Sequence, residues 1–87
     1  MTEIRNREEV AKAILLLLQD VLGISISMPA ERIRRENIPE WDSLRHVRLV
    51  LEIQRKFSIK FSAVEMMRLG SYVEIISEVE AKGIMPL

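Results

Sequence analysis

The residues best suited to chemistry are Asp42, Ser43 and His46, which lie close together in the sequence. A nucleophile–base relay is the first hypothesis. However, neighbouring residues on a helix point about 100° apart, so Asp42 and Ser43 cannot both align with His46. The Gly-x-Ser-x-Gly turn of many hydrolases is also missing, because Trp41 and Arg45 take the glycine positions. Hydrolysis is therefore the remote alternative, and we expect His46 to be a partly buried packing residue.

Ser43 stands at the predicted start of an amphipathic helix, which gives its hydroxyl a different use. Asp42 or Ser43 can cap this helix, since a short side-chain oxygen there accepts hydrogen bonds from free backbone amides. The positive end of the helix dipole would stabilise a phosphate ester on Ser43 by about 0.3–1 kcal/mol, and Arg45 could add to this. Ser43 is thus a candidate attachment point for a phosphate-containing group, unless it serves only as a cap.

Composition limits the other functions of the chain. It has 87 residues, no cysteine, one histidine and a formal net charge of zero. No disulfide is available, no metal site is expected, and the net charge supports neither nucleic-acid nor membrane binding. The longest apolar run, residues 13–18, is far shorter than the ~20 residues of a membrane span.

We expect a cytoplasmic monomer with a single domain over 1–87. Met1 and the short tails suggest a free-standing protein, although an excised domain would look similar.

Apolar spacing predicts one helix on each side of a long loop. Apolar residues recur every three or four positions over about 5–22, and Gly23 is a plausible C-cap. Residues 23–42 lose this period and contain two prolines, so we expect a loop that single apolar side chains hold to the core. The second helix is expected over about 43–57.

Two Ser-x-x-Glu sequences predict two further helices. Such a capping box at Ser62 opens a short helix over about 63–69, and another at Ser71 opens a longer helix over about 72–82. The inward-facing residues of the last helix are expected to be Val73, Ile76 and Val79. The predicted fold class is all-α, a four-helix bundle of three longer helices and one short helix.

The second helix is predicted to have an apolar side and a basic side. Val50, Ile53 and Phe57 fall on the apolar side. The opposite sector, about 100° wide, carries four basic side chains and one acidic side chain. We name this sector the basic stripe, which consists of Arg45, Arg48, Glu52, Arg55 and Lys56. Leu49 lies at its edge as a candidate exposed apolar contact. The stripe is either a solvated face, with Glu52 pairing neighbouring cations, or a docking surface, and its position beside Ser43 favours docking.

Residues 38–50, Ile-Pro-Glu-Trp-Asp-Ser-Leu-Arg-His-Val-Arg-Leu-Val, followed by Phe-Ser-Ile-Lys-Phe at 57–61, resemble the acyl carrier protein family. The resemblance extends from the first helix to Lys82, and includes the order of the helices. It implies that a phosphopantetheinyl transferase attaches 4′-phosphopantetheine from coenzyme A to Ser43, and that Asp42 and Leu44 take part in transferase recognition. The thiol of this arm would hold acyl or aminoacyl groups as thioesters, and the protein itself would catalyse nothing.

The resemblance also implies a set of partners. Loading enzymes for acyl or aminoacyl groups, and downstream transferases or synthases, would dock on the second helix. Leu44, Val47 and Leu51 are candidates to border the arm or an acyl pocket. Family members usually have acidic residues along this helix, so the basic stripe predicts partners with acidic or apolar surfaces. A specialised polyketide, peptide or other secondary-metabolite pathway is then favoured over fatty-acid synthesis. The alternatives are an aminoacyl or peptidyl carrier, and an unmodified carrier-like helical interaction module.

Overall fold

The computed structural model describes residues 7–83, so the predicted helix start near Arg5 lies outside the described residues. The α-helices are α1 (Arg7–Leu22), α2 (Ser43–Phe57), α3 (Ala63–Met67) and α4 (Tyr72–Gly83). Residues 7–83 are thus mostly helical, with three longer helices and one short helix, as predicted. Residues 7–83 include no β-strand and only an isolated antiparallel bridge between Arg34 and Ser71.

The loop between α1 and α2 is more ordered than its sequence predicts. It contains two 3₁₀ turns, Ala30–Arg32 and Arg35–Asn37, which lack the apolar periodicity that identifies longer helices. Ile33 and Ile38 are buried, which confirms that single apolar side chains hold the loop to the core. The loop is also tied to the start of α4, because the Tyr72 N–H donates to the Ile33 carbonyl at 2.9 Å.

A glutamine near the end of each of the first two long helices fixes the chain that follows. Gly23 ends α1 as predicted, with a φ of 69°, and the Gln19 side-chain oxygen accepts from the Ile26 N–H at 2.8 Å. Ser58 ends α2 in the same left-handed region, with a φ of 56°. The Gln54 side-chain oxygen then accepts from the Phe61 N–H at 2.8 Å. In both places the side chain satisfies an amide that has left the helix.

We expect Gln54→Ala to lower the free energy of unfolding by about 1–3 kcal/mol, because the partly buried Phe61 N–H would lose its acceptor. Urea denaturation followed by circular dichroism measures this loss. Gln54→Glu is the matched control, since it keeps a side-chain oxygen at the same distance from the backbone. Wild-type stability in Gln54→Ala, or an equal loss in both variants, would contradict this role for the amide oxygen.

The third helix is two residues shorter than predicted. Its Ser62–Glu65 capping box is confirmed, with both reciprocal hydrogen bonds present. The prediction that it runs to residue 69 is wrong, because the backbone tightens after Met67. The N–H groups of Arg68 and Leu69 donate to carbonyls three residues back, and the Leu69 side chain is fully buried. Short 3₁₀-type turns of this kind are common at helix ends.

The inward face of α4 is also displaced from its prediction. Tyr72, Ile75, Ile76 and Val79 are buried, at the spacing of one helical stripe. Ile76 and Val79 were expected there, but Val73 is 41% exposed and its predicted inward position is wrong. One residue turns the helix by about 100°, which places Val73 on the flank of this stripe.

The buried side chains form one cluster in which α1 packs against both α2 and α4. The cluster has aliphatic side chains from every long helix, together with Trp41, Phe61 and Tyr72. The Tyr72 hydroxyl donates to the Ala11 carbonyl at 2.7 Å, which links α4 to α1. None of the helices within residues 7–83 combines the length and apolar character needed to cross a membrane.

Candidate functional site at Ser43

Ser43 is the first residue of α2, and its neighbour performs the capping. The Asp42 carboxylate accepts a hydrogen bond from the Arg45 N–H at 2.9 Å, so Asp42 is the N-cap. Ser43 is exposed, and its hydroxyl forms no hydrogen bond within residues 7–83. Because Asp42 provides the cap, the Ser43 hydroxyl is not used for capping.

Arg45 places a positive charge one turn from the helix start. Its guanidinium donates to the Asp42 carboxylate at 3.0 Å and to the Glu40 carbonyl at 3.3 Å. Both charged side chains are about half exposed, so solvent screens the pair and its contribution to stability is small. These contacts hold the Arg45 side chain beside the capped end of α2, where the Asp42 carboxylate partly neutralises its positive charge.

His46 is buried, at 5% exposure, and both of its ring nitrogens have partners. The Trp41 indole N–H donates to Nδ1 at 3.0 Å, and Nε2 lies 2.9 Å from the Met66 carbonyl. Burial lowers the pKa of His46 most strongly, the Met66 carbonyl raises it, and the charge of Arg35 lowers it further. The predicted packing role of His46 is confirmed, and neither ring nitrogen is left to activate Ser43.

The link from Trp41 through His46 to Met66 was not predicted. Trp41 lies outside the helix, so helical spacing gives no information about its distance from His46. Met66 lies twenty residues further along, and its backbone carbonyl, rather than its side chain, makes the contact. Only the burial of a lone histidine could be expected from the sequence.

The three apolar residues proposed to border an arm or pocket are on the outside of α2. Leu44 is 79% exposed, and Val47 and Leu51 are also exposed. Their spacing places them along one side of the helix, which we name the apolar strip. Leu51 borders a surface groove with Ile59 and Lys60, whereas Leu44 and Val47 do not line it. These residues therefore offer an exposed surface beside Ser43 rather than an enclosed pocket.

The third helix adds apolar surface that sequence reasoning missed. Val64 and Met67 are exposed, at 58% and 80%. The contact between His46 and the Met66 carbonyl holds this helix next to the first turns of α2. The capping box identified α3, but a five-residue helix is too short for its periodicity to show which side chains face outward.

The basic stripe is exposed at its four cations, and Glu52 is partly buried. Arg45 pairs with Asp42, whereas the side chains of Arg48, Arg55 and Lys56 have no ion pair or hydrogen bond among the described residues. The alternative in which Glu52 neutralises its neighbours is therefore absent from this structure. Three cations are left available to an incoming surface.

The structure places Leu49 outside the predicted docking surface. It was expected to be an exposed contact at the edge of the basic stripe, but its side chain is fully buried. The buried face of α2 is centred near His46, Val50 and Ile53, and Leu49 lies within about 60° of that centre. Leu49 is a member of the buried core cluster, in which α1 packs against α2.

The described part of the chain contains no group of three or more His, Cys, Asp or Glu side chains arranged to hold a metal ion. The sequence matches no model of a known protein family and none of the curated proteins with which it was compared.

Proposed function

We propose that this chain is an acyl carrier protein, which is not an enzyme but carries acyl groups on a 4′-phosphopantetheine arm attached to Ser43. The observation that carries the proposal is the free, exposed hydroxyl of Ser43 at the first position of α2, within an Asp-Ser-Leu sequence. The succession of two long helices, a short helix and a further long helix within residues 7–83 supports this proposal. The site of action would be the cytoplasm, in a specialised or secondary-metabolite pathway.

The residues around Ser43 fit a phosphopantetheine arm. A phosphodiester on Ser43 would lie at the positive end of a 15-residue helix, where its negative charge is stabilised. The Asp42 carboxylate stabilises this helix start by accepting a hydrogen bond from the Arg45 N–H. The Leu44 side chain is exposed, so a transferase can contact it. When bound, the arm supplies a thiol that holds acyl groups as thioesters. The apolar strip is an exposed surface near the attachment point that the carried acyl group can contact.

The direct test is to load the purified chain in vitro. The unmodified protein is incubated with coenzyme A and a broad-specificity phosphopantetheinyl transferase, and its intact mass is measured. We expect a gain of one phosphopantetheinyl group, which requires both the transferase and coenzyme A. Loading with acyl-coenzyme A analogues would then show that the arm carries an acyl group. No gain with several transferases would favour the unmodified interaction module, and preferential loading by an aminoacyl-activating enzyme would favour a peptidyl carrier.

The docking surface proposed for partner enzymes consists of the apolar strip and the adjacent cations of α2. The unpaired side chains of Arg48, Arg55 and Lys56 favour a partner with an acidic surface, because opposite potentials speed the encounter. The exposed Leu44 and Val47 would give short-range apolar contacts. A tethered substrate has an effective concentration in the mM range at the partner's active site, so weak docking is sufficient.

Charge reversal tests this surface. We expect the double variant Arg48→Glu and Arg55→Glu to lower kcat/KM of a loading or condensing partner by about tenfold at low salt, and by less at high salt. Stability should change by less than about 0.5 kcal/mol per substitution, since both side chains are exposed and unpaired. The matched control is Arg32→Glu, an exposed cation in the loop. Unchanged turnover at low salt would contradict an electrostatic role for the basic stripe.

A further inference from the structure

The neighbours of His46 determine its protonation state. An indole N–H can only donate, so the Nδ1 atom facing Trp41 at 3.0 Å must accept. A backbone carbonyl can only accept, so the Nε2 atom facing Met66 at 2.9 Å must carry the hydrogen. The neutral Nε2–H tautomer is the form that satisfies both contacts, and a single imidazole thereby joins the loop, α2 and α3.

The charged groups near this ring do not favour a positive charge on it. From the loop, Arg35 disfavours the imidazolium, and its Nε donates to the Trp41 carbonyl at 3.5 Å. From α2, the Asp42 carboxylate pairs with Arg45. From α3 the contact is the neutral Met66 carbonyl, while the Glu65 carboxylate is held by Lys82 at 3.1 Å.

We propose that His46 is a positioning residue whose neutral imidazole holds Trp41 against the start of α2, and whose protonation releases it. A protonated ring would place the Nδ1 hydrogen and the indole hydrogen face to face, two donors with no acceptor between them. The Nε2–H would still donate to Met66, so the contact between α2 and α3 would persist. Protonation therefore weakens only the contact with Trp41. This residue belongs to the loop that leads into α2, two residues before Ser43.

The direction of the pH dependence follows from the lowered pKa of His46. The unfolded chain binds this proton with the ordinary histidine pKa of about 6.5, whereas the folded chain binds it only at lower pH. The stabilisation by the neutral ring is therefore complete above about pH 6.5 and is lost as the pH falls through the folded-state pKa. We name the hydrogen bond from the Trp41 indole to His46 the lock. It weakens as the folded chain takes up this proton, around the folded-state pKa of His46.

Because the chain has one tryptophan and one histidine, NMR assigns the two partners without ambiguity. The test uses the unmodified ¹⁵N-labelled protein, titrated downward from a pH above about 7.5, where His46 is neutral. We expect the ring nitrogens to show the Nε2–H tautomer at the start. On acidification, the Trp41 indole N–H should shift and lose protection from hydrogen exchange with the same midpoint as the His46 ring. Separate midpoints, or the Nδ1–H tautomer, would overturn the proposal.

Two variants separate this lock from simple packing. Trp41→Phe keeps a ring but removes the donor, so the pKa of His46 should move upward, because protonation no longer breaks a hydrogen bond. His46→Gln should abolish the shift of the Trp41 indole signal over the same pH range. An unchanged pKa of His46 in Trp41→Phe, or a persistent indole transition in His46→Gln, would count against the lock.

The titration is made on the unmodified chain, so its result does not depend on whether Ser43 carries an arm. Ser43→Ala should titrate like the wild type. A chain that is never phosphopantetheinylated but shows the coupled titration would refute the carrier and leave the lock intact. A chain that is loaded at Ser43 but shows independent midpoints for Trp41 and His46 would support the carrier and refute the lock.

Discussion

Leu49→Ala is expected to lower the free energy of unfolding by about 2–5 kcal/mol. The Leu49 side chain is fully buried between α2 and the rest of the core, and truncating it leaves a cavity that the packed helices fill only in part. Small domains have a total stability of only about 5–15 kcal/mol, so the variant would lose a large fraction of its folding free energy and unfold at a lower urea concentration. Urea denaturation monitored by circular dichroism measures the loss.

The matched control for this substitution is two residues away on the same helix. Leu51 is 55% exposed, so Leu51→Ala should change stability by no more than about 0.5 kcal/mol. The pair uses the same chemical change on opposite sides of α2. Equal effects of the two substitutions would show that the buried face of this helix is placed incorrectly. An intact fold with impaired partner binding in Leu49→Ala would restore the docking role first expected for that residue.

Ser43→Ala is expected to abolish phosphopantetheine attachment without unfolding the chain. No other side chain at the start of α2 combines a hydroxyl with exposure and freedom from hydrogen bonds. Because Asp42 provides the cap, the loss of the Ser43 hydroxyl should change the stability by less than about 0.5 kcal/mol. Intact mass after incubation with transferase and coenzyme A, together with the urea midpoint, gives both quantities in one preparation.

Two other substitutions make the result of Ser43→Ala specific. Ser27→Ala removes an exposed hydroxyl from the loop and should leave attachment unchanged. Asp42→Ala removes the N-cap and should cost about 0.5–2 kcal/mol, in contrast to Ser43→Ala. A loss of that size in Ser43→Ala, together with unchanged attachment, would mean that Ser43 is a structural residue and that the arm is elsewhere.

The capped helix starts at Asp42 and Ser62 and the glycine end of α1 were the most predictable part of the fold, whereas the end of α3 was not. Asp42, Ser62 and Gly23 act within their own turn of the backbone, so their residue types indicate where helices begin and end. The burial of Leu49 and the exposure of Val73 could not be predicted in the same way. Which sector of a helix is covered depends on where its neighbours pack, and a single helix sequence does not contain that information.

The candidate site shows the same division between local and distant contacts. The cap at Asp42 and the exposure of Ser43 depend on adjacent residues and could be expected from the sequence. The coupling of Trp41 to His46 and Met66 depends on the packing of the loop and α3 around α2. The side-chain bonds from Gln19 and Gln54 to amides seven residues later also require the folded path of the chain.

The most direct test of the carrier hypothesis is to locate the modification by peptide mass spectrometry. Trypsin cleaves after Arg35 and Arg45, and the peptide between them, Glu-Asn-Ile-Pro-Glu-Trp-Asp-Ser-Leu-Arg, contains Ser43 as its only hydroxyl-bearing residue. After incubation of the wild-type chain with coenzyme A and a phosphopantetheinyl transferase, we expect this peptide to carry one phosphopantetheinyl group. An unmodified peptide, or the same group on a different peptide, would contradict the assignment of Ser43 as the attachment site.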